Sequence, residues 1–473
     1  MQPVHKSLLD PSRRIYFIGI GGVGMSGLAK VLRHRDFEVA GSDRVDSRSV
    51  RELQSKGIQV FIGQKQVFLG QRDLVIQSSA IAPDHPEMVW ARQNHLPIIH
   101  RAEALASLFN QAETSIGVTG THGKTTTTSM ISFVLAETGR HPTCLVGGDI
   151  VNSGSNAILG GNEFFVSEVD ESDGSHICFT PNYGVLTNLE EDHMDHYSDL
   201  EHLKRSMAQF ISQMNDPGLV VYSAEDPVLR ELVPASGKPH ISYGWTPEAS
   251  MHADRIRLEG FHSEFELYQN GFFATRVVLS VPGAHNILNA MGAISVLLEL
   301  GLDLDEIVET LFRFRGARRR LEVKLDLART LVIDDYAHHP AEVTASLQAL
   351  GKLGRRLTVI FQPHRFSRTQ YMGRQFGKVF HAADELILTE DISELIVGLP
   401  LGFKNQETES TKKVREFAKK LQKEFDLPVI FEPEILSTSE VIKNKSAPPD
   451  MRDASAAALI LQNYLSRLKN INS

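Results

Sequence analysis

The sequence predicts an α/β protein of three domains, and three observations lead to this fold class. At 473 residues the chain is too long for a single hydrophobic core, and about three domains is the expectation for this length. Apolar strands alternate with amphipathic helices along the chain, as in parallel α/β sheets. Two of these strands run directly into glycine-rich turns, at residues 19–24 and 120–123. We therefore expect two nucleotide-type α/β units, followed by a third α/β domain.

The composition excludes several classes of protein. Hydrophobic residues make up 42% of the chain and charged residues 23%, which is typical of a soluble globular protein. The net charge of −9 argues against a general affinity for nucleic acid. The two cysteines, Cys144 and Cys178, are too far apart to form a zinc motif, and they indicate a reducing compartment. Because no apolar run approaches the roughly 20 residues that cross a bilayer and no signal peptide is evident, we expect a cytoplasmic protein without membrane insertion.

The first glycine-rich turn predicts a Rossmann-like domain over residues 1–109. An apolar strand at 14–20 leads into the turn, a helix is predicted over 28–35, and a second strand at 37–43 ends in Asp43, about 20 residues after the turn. Glycines in such a turn let a pyrophosphate approach the backbone, and an acid at the end of the second strand is typical of a Rossmann-type unit. Tight packing of a strand on a helix also uses glycine, but Asp43 favours the nucleotide interpretation. A later strand ends in Ser78 and Ser79, small polar residues of the kind found where a strand faces a ligand.

The second turn predicts a phosphate-binding P-loop. It follows a short strand at 115–119 and precedes a helix predicted over 128–136. Backbone N–H groups and the helix N-terminus face the phosphates in such a turn, the Lys ammonium neutralises them, and a Thr hydroxyl ligates Mg²⁺. Val118 stands where the usual spacing has glycine. An ordinary strand–helix turn is the alternative, but Gly-Lys-Thr-Thr favours the phosphate site, which comprises Gly120, Thr121, His122, Gly123, Lys124, Thr125 and Thr126.

Acidic clusters follow two more strands of the central region, at 164–173 and 185–196. Hard oxygen ligands near a P-loop suit Mg²⁺–ATP, although a single acidic loop is more often solvated surface. Further on, Asn286 and Asn289 lie three residues apart on a predicted helix, where they could bind an adenine edge or cap the helix. Two phosphate-type turns on separate units indicate two phosphate-bearing ligands, which favours a ligase or transferase over a simple ATPase or a dehydrogenase.

Taken together, these motifs resemble the Mur ligases, and among them the members that join L-alanine to UDP-N-acetylmuramate. The resemblance spans residues 12–390 in family order, and Val118 belongs to the family's shorter P-loop form. It implies a UDP-binding domain (1–109), a central ATPase domain (110–320) and a C-terminal Rossmann-like domain whose first half is 321–390. It also implies that ATP phosphorylates the muramate carboxylate and that the amine of L-alanine displaces phosphate. The motifs are GIGGVGMSG, GSD, SSAI, GTHGKTTTT, SEVDESD, TNLEEDHMD, PGAHNILNA, Arg318–Arg320, DDYAHHPAEV and FQPHRFSRT.

The resemblance assigns a role to each candidate site residue. UDP-substrate binding falls to Gly19, Gly21, Gly22, Val23, Gly24, Met25, Ser26, Asp43, Ser78 and Ser79. ATP binding falls to the P-loop together with Asn286, Asn289, Arg320 and Asp335. Mg²⁺ is assigned to Thr125, Glu168 and His193, catalysis to Lys124, His193, Arg365 and Arg368, and the amine and acyl pocket to Tyr336 and His338.

These roles are chemically consistent, and alternatives exist for some of them. Lys124 can stabilise charge on the transferring phosphoryl group. The guanidinium groups of Arg365 and Arg368 suit a carboxylate or an acyl phosphate, the alternative being surface ion pairs. His193 is either a metal ligand or a hydrogen-bonded core residue.

Residues 391–473 resemble a different family, the YqgF/RuvX group of Holliday-junction resolvases with an RNase H-like fold. That family is described as cutting with clustered carboxylates and two metal ions. Glu434 and Asp453 match two of its acids, but the first acid has no counterpart, and Ile435 stands where an Arg is usual. Nuclease activity is therefore not expected. The alternative is that these are solvated acids on a βαβα segment that replaces the second half of the third ligase domain and makes it atypical.

Three functions remain open from the sequence. The leading one is an ATP- and Mg²⁺-dependent ligase of peptidoglycan synthesis acting on UDP-N-acetylmuramate and L-alanine. A sister ligase that takes a peptide in place of alanine shares both turns and differs in the amine pocket. A ligase-derived nucleotide-binding protein with impaired turnover is the third, since the chain lacks the usual ending of the family.

Overall fold

A computed structural model gives the fold, and it describes residues 9–63, 70–191, 196–327, 330–364, 366–389 and 395–399, residue 407, and residues 411–412, 414–416, 418–419 and 429–433. The chain divides into two compact units. The first comprises residues 1–357 and 366–385, and the second comprises residues 358–365 and 386–473. Among the described residues, no helix has the length and apolarity to span a membrane.

The first sheet of the first unit has five parallel strands. Its elements are β1 (Arg14–Ile18), α1 (Val23–His34), β2 (Glu38–Asp43), α2 (Arg48–Ser55), β3 (Gln59–Ile62), β4 (Leu74–Gln77), α3 (Pro86–Gln93), β5 (Ile98–His100) and α4 (Arg101–Phe109). The strand order is β3-β2-β1-β4-β5. The order therefore changes direction at β1 and β4, and in such sheets a crevice for ligands opens beyond the carboxyl ends of the strands at this point. The glycine-rich turn after β1 lies there.

The second sheet of this unit has ten strands and belongs to the central region. Its elements are β6 (Thr114–Thr119), α5 (Lys124–Glu137), β7 (Thr143–Ile150), β8 (Ser155–Ile158), β9 (Phe164–Glu168), β10 (Tyr183–Leu186), α6 (Leu200–Ser212), β11 (Leu219–Ser223), α7 (Pro227–Ala235), β12 (His240–Gly244), β13 (Met251–Glu259), β14 (His262–Gln269), β15 (Phe272–Leu279), α8 (Ala284–Glu299) and α9 (Leu304–Arg313). The order is β15-β14-β13-β12-β11-β10-β6-β9-β7-β8. Because β6 lies between β10 and β9 and is parallel to both, the two acidic loops flank the P-loop.

The remaining elements come from the last third of the chain. In the first unit, β16 (Glu322–Asp326) pairs antiparallel with β17 (Leu331–Asp334), and α10 (Pro340–Gly351) packs against α11 (Phe366–Val379). In the second unit, β18 (Thr358–Phe361) pairs with β19 (Glu385–Leu388), whose first residue belongs to the first unit. Also in the second unit, β20 (Leu395–Leu399) pairs in parallel with β21 (Val429–Pro433).

The predicted α/β class is confirmed, whereas two predicted helix starts were wrong. The helix expected from residue 28 begins at Val23, directly after the turn, and the helix expected from residue 128 begins at Lys124. The second difference has a clear cause. Gly123 has φ 85°, a left-handed conformation that favours glycine, so the turn closes there and Lys124 falls in the first helical turn. The domain boundaries at 109/110, 320/321 and 390/391 stay predictions.

An aromatic cluster joins α4 to the central sheet. Phe109, at the end of α4, is fully buried and makes edge contacts with Phe165 of β9 and with Phe179, at centroid distances of 5.6 and 5.4 Å. Edge-to-face pairs of this kind add to the free energy of burial. The cluster fixes the position of α4, the helix that carries Arg101 at its N-terminus, relative to β9, the strand that ends in Glu168.

We expect Phe109→Ala to lower the free energy of unfolding by about 3–5 kcal/mol, because it opens a cavity between α4 and the central sheet. Phe272→Ala is the matched control, since this ring on β15 is 80% exposed and its loss should change stability by no more than about 0.5 kcal/mol. Urea denaturation of both variants measures the difference. An equal loss of free energy of unfolding in both variants would show that the contacts of Phe109 between α4 and the central sheet do not stabilise the fold.

Candidate active site

The ammonium of Lys124 is buried within the P-loop and held by protein oxygens. It donates to the backbone carbonyls of Gly120 (2.5 Å) and Thr121 (3.2 Å) and to a carboxylate oxygen of Glu171 (3.1 Å). Burial acts to lower the pKa of Lys124, but Glu171 and the neighbouring acids outweigh it and raise the pKa, so the ammonium stays charged. Glu171 is 1% exposed, and its burial raises its pKa to about 7 despite the ion pair. The P-loop thus holds a cation whose counter-ion is a buried protein carboxylate.

Oxygen ligands suited to Mg²⁺ lie beside the P-loop. The Thr125 hydroxyl donates to Glu168 Oε2 at 2.8 Å, and the same oxygen accepts the Gly147 N–H at 3.0 Å. A hydroxyl and a carboxylate side by side are the hard ligands that Mg²⁺ prefers, so the residues present fit the predicted ion. The third predicted ligand, His193, lies outside the described residues.

His122 of the P-loop lies between two carboxylates. Its Nδ1 lies 3.2 Å from Glu342 Oε1, on the first turn of α10, and its Nε2 lies 3.7 Å from Glu190 Oε2. Burial acts to lower the pKa of His122, but the carboxylates of Glu190 and Glu342 outweigh it and raise the pKa to about 9. Glu342 also lies 3.5 Å from Arg320 Nη1 and accepts the backbone N–H of His338 at 3.1 Å, and its own pKa is well below its usual value. Glu342 therefore links the P-loop to α10.

A cavity of about 220 Å³ extends from the P-loop between α8 and α10. It contains four of the predicted phosphate-binding residues and all four residues predicted to bind the rest of ATP. Its lining is His122, Gly123, Thr125, Thr126, Thr187, Asn188, Glu190, Tyr243, His285, Asn286, Leu288, Asn289, Arg320, Leu321, Asp335, Ala341, Glu342, Ala345 and Ser346. The structure thus brings together residues that are more than 200 positions apart in the sequence.

The two asparagines of α8 form a hydrogen-bonded pair in this cavity. Asn289 Nδ2 donates to Asn286 Oδ1 at 3.2 Å, and Asn286 Nδ2 donates to the Pro282 carbonyl at 2.7 Å. Asn289 Oδ1 accepts from the Thr127 hydroxyl at 3.3 Å, which joins α8 to the P-loop helix. Asp335 accepts the backbone N–H groups of Leu321 and Ala337. These contacts fix the walls of the cavity.

A second cavity, of about 300 Å³, lies at the turn after β1. It contains five of the ten residues predicted to bind the UDP substrate, and it reaches the acids at the end of β9. Its lining is Gly22, Val23, Gly24, Met25, Ser78, Arg101, Leu105, Leu145, Val146, Gly147, Ser167, Glu168 and Asp170. Glu168 therefore belongs both to this cavity and to the P-loop hydrogen-bond network.

Other predicted substrate residues make contacts around this turn. Asp43 Oδ2 accepts the N–H of Gly21 at 2.8 Å, so the acid at the end of β2 holds the turn after β1. Ser79 donates to Asp173 at 2.7 Å and lies 3.1 Å from His100 Nε2. The other five predicted substrate residues are not in the lining of the second cavity: Gly19, Gly21, Ser26, Asp43 and Ser79.

The predicted amine and acyl residues lie beside the ATP cavity. Tyr336 and His338 are in edge contact at 4.9 Å, and the guanidinium of Arg319 lies over the Tyr336 ring at 4.8 Å. Burial lowers the pKa of His338, and the charge of the buried Arg368 acts in the same direction. Arg365, Glu434 and Asp453 lie outside the described residues.

Several residues of the site had no role predicted from the sequence, although some of them lie within the predicted motifs. Glu171 lies inside SEVDESD and Glu342 inside DDYAHHPAEV, so an acid within a phosphate-binding motif was the available signal. Arg101, in the second cavity, opens α4 and had no motif around it. Its position could be recognised only once the strand order had placed β5 next to β4.

Two family models match the part of the chain that forms these cavities. The model described as Mur ligase family, catalytic domain, matches residues 14–113, and the Mur ligase middle domain matches residues 118–297. The UDP-N-acetylmuramate–L-alanine ligase of Solidesulfovibrio magneticus is 43% identical over 380 residues, covering 80% of this chain and 83% of the relative. The chain belongs to the Mur ligase family. The ligase of the same name from Aquifex aeolicus is 40% identical over 385 residues, covering 81% and 85% of the two chains.

Solved structures of Mur ligases have the same fold. The UDP-N-acetylmuramate–alanine ligase MurC of Thermotoga maritima is 29% identical with a TM-score of 0.71, covering 96% of this chain and all of the other. A UDP-N-acetylmuramate:L-alanyl-γ-D-glutamyl-meso-diaminopimelate ligase from Neisseria meningitides is 28% identical with a TM-score of 0.60, covering 65% and 99% of the two chains. The predicted fold class is thus that of the Mur ligases.

A third family model, which is not a Mur ligase model, matches the last part of the chain. The model described as Holliday junction resolvase matches residues 354–467. The predicted resemblance to that group is confirmed, and the match begins before residue 391, where we expected the change of family.

The ion pairs of His122 predict a specific pH dependence. Because the pKa of His122 is raised from 6.5 to about 9 in the folded protein, the contact stabilises the fold fully below about pH 6.5 and is lost as the pH rises through 9. We expect His122→Gln to lower the free energy of unfolding by up to about 3 kcal/mol at pH 6 and by much less at pH 9.5. Urea denaturation at both pH values measures this change.

The exposed His262 on β14 provides the control. His262→Gln should leave the dependence of stability on pH between 6 and 9.5 as in the wild type. A His122→Gln effect of equal size at both pH values would contradict the ion-pair assignment.

Proposed function

We propose that this Mur ligase joins L-alanine to UDP-N-acetylmuramate with ATP, through an acyl phosphate. One observation carries the proposal. Glu168 lines the substrate-side cavity and also accepts a hydrogen bond from Thr125 of the P-loop. ATP at the P-loop and the muramate carboxylate in the cavity can therefore both lie close to Glu168. The relatives that are 40–43% identical carry the name of this reaction.

Phosphoryl transfer uses the P-loop residues. The muramate carboxylate oxygen attacks the γ-phosphorus, and the bond to the bridging oxygen of ADP breaks. Lys124 moves its donors from Glu171 and the loop carbonyls to the phosphate oxygens, where charge develops. Glu171 is left buried, and its raised pKa lets it take up a proton instead of remaining as an unpaired charge.

Mg²⁺ fits the same place. Thr125 and Glu168 would hold it, with His193 as the further predicted ligand, and the ion would neutralise the phosphate oxygens. Before it binds, the Thr125–Glu168 hydrogen bond keeps both ligand side chains oriented towards each other.

Amide formation follows at the acyl phosphate. The amine nitrogen of L-alanine attacks the acyl carbon, the bond to the phosphate oxygen breaks, and the amine loses its proton. We assign the approach of the amine to the side of Tyr336 and His338, which lie beside the ATP cavity. The lowered pKa of His338 keeps its imidazole neutral and able to accept a hydrogen bond or proton.

Two alternatives have an observation in their favour. The Neisseria structure, named for a ligase that takes a peptide, favours a sister activity in which the amine belongs to a peptide. The resolvase match over residues 354–467 favours a nucleotide-binding derivative with impaired turnover. We do not propose a nuclease, because Glu434 and Asp453 supply only two of the three acids of that family. We place the proposed activity in the cytoplasm, where ATP is available.

Phosphate release distinguishes these functions. Purified protein is incubated with Mg²⁺–ATP and UDP-N-acetylmuramate, together with L-alanine, L-serine, glycine or the tripeptide L-alanyl-γ-D-glutamyl-meso-diaminopimelate. We expect phosphate release that requires both UDP-N-acetylmuramate and L-alanine. Release only with the tripeptide would favour the sister ligase. Binding of ATP and the UDP-sugar without release would favour the impaired derivative.

We expect Lys124→Ala to reduce this turnover by about 100-fold or more, because it removes the cation that faces the transferring phosphoryl group. The thermal midpoint should change little, since Glu171 can be protonated in the variant. Lys204→Ala, which removes a surface ion pair on α6, is the matched control and should keep wild-type turnover. Full activity of Lys124→Ala would contradict the role of the P-loop.

A further inference from the structure

The substrate-side cavity contains a cation to which no role has been given. Among the described residues that line it, Arg101 is the only basic side chain, opposite the acids Glu168 and Asp170. Its Nη2 lies 3.8 Å from Asp170 Oδ2, and its side chain is 25% exposed. An anionic group that enters this cavity therefore meets one positive side chain, that of Arg101. Glu168, whose carboxylate faces the P-loop, lines the same cavity.

The local fold fixes the backbone of Arg101. It is the first residue of α4, and His100 before it caps the helix, with Nδ1 accepting the Ala102 N–H. Glu103 accepts the His100 N–H in return, which completes a capping box. The position of the guanidinium thus depends on the side-chain rotamer and not on a mobile loop.

The guanidinium lies directly against the glycine-rich turn. A Cβ atom at Gly24 would be 2.9 Å from Nη1 and 3.3 Å from Cζ, so the absence of a side chain there lets the planar group approach the backbone of α1. The first turn of α1 contains no acidic residue, and its N-cap is Gly22, which has no side chain to accept the N–H groups of that turn. The N–H groups of this turn and the fork of Arg101 therefore point to the same kind of ligand, an anion.

We propose that Arg101 binds an anionic oxygen of the nucleotide-sugar substrate, phosphate or carboxylate, and so positions the acceptor carboxylate between the glycine-rich turn and Glu168. This rests on the proposed function, whose substrate carries both kinds of anion. A planar guanidinium suits either of them, because its parallel N–H groups match two oxygens of a carboxylate or of a phosphate. Binding replaces the 3.8 Å ion pair with Asp170 by a closer, charge-assisted contact.

Calorimetry with two sugar nucleotides tests the proposal and separates the two anions. UDP-N-acetylmuramate has both a pyrophosphate and a carboxylate, whereas UDP-N-acetylglucosamine has the pyrophosphate alone. We expect Arg101→Ala to weaken binding of UDP-N-acetylmuramate by about 10- to 100-fold, the range for a lost charge-assisted hydrogen bond. Equal weakening for both ligands assigns Arg101 to the pyrophosphate, and weakening for UDP-N-acetylmuramate alone assigns it to the carboxylate.

Three controls distinguish recognition from a structural role. Arg101→Lys keeps the charge but not the fork, and it should lose less affinity than Arg101→Ala. ATP affinity should stay unchanged in both variants, because Arg101 is not part of the lining of the ATP cavity. Arg51→Ala removes an exposed arginine of α2 and should bind both sugar nucleotides as the wild type does.

Each remaining outcome overturns the inference. Unchanged affinity of Arg101→Ala for both ligands, with a wild type that binds them, shows that Arg101 does not contact the substrate while leaving the proposed function intact. A parallel loss of ATP affinity in Arg101→Ala and Arg101→Lys indicates a general change of structure. A wild type that binds neither sugar nucleotide contradicts the proposed function, and the role of Arg101 with it.

Discussion

The site depends on the burial of the Lys124 ammonium. A charge removed from water is stable only with a close counter-ion and hydrogen-bond acceptors, and Glu171 with two loop carbonyls supplies them. The strand order makes this possible, because β6 lies between the strands whose loops bear the acids. A protein carboxylate thus serves as the counter-ion of the P-loop lysine. A phosphate that binds must compete with Glu171, and the raised pKa of Glu171 makes that carboxylate the weaker competitor.

The same principle extends from the P-loop to α10. His122 carries a proton that its burial alone would remove, and the carboxylates of Glu190 and Glu342 retain it. Glu342 also contacts Arg320 and the backbone of His338, so one side chain connects residues predicted to bind phosphate, nucleotide and amine. Charged contacts therefore join the P-loop directly to α10.

The sequence predicted the parts of the site that depend on local motifs. Strand, glycine turn and Lys-Thr define the P-loop because each residue type there has a specific backbone or charge role, and Glu168 follows from an acid at a strand end. The sequence did not predict the counter-ions. Each of these residues contacts a partner that is distant in the chain. Glu171 is 47 positions from Lys124, Glu342 is 220 positions from His122, and Arg101 is about 80 positions from Gly24. Only the order of the strands brings such partners together. The starts of α1 and α5 were missed because polar and glycine residues masked the helical periodicity.

The position of the change of family along the chain bears on which chemistry the protein retains. The lining of the substrate cavity runs from Gly22 to Asp170, and that of the ATP cavity from His122 to Ser346. The resolvase match begins at residue 354, after the last of these residues. The groups that contact nucleotide, metal and sugar substrate in our proposal, apart from Arg365 and Arg368, therefore all come from the part of the chain that precedes the match. In our proposal phosphoryl transfer uses Lys124, Thr125 and Glu168, which all precede the match, whereas Arg365 and Arg368, predicted to bind a carboxylate or an acyl phosphate, fall within it. We therefore expect the substituted segment to affect the handling of the acyl phosphate.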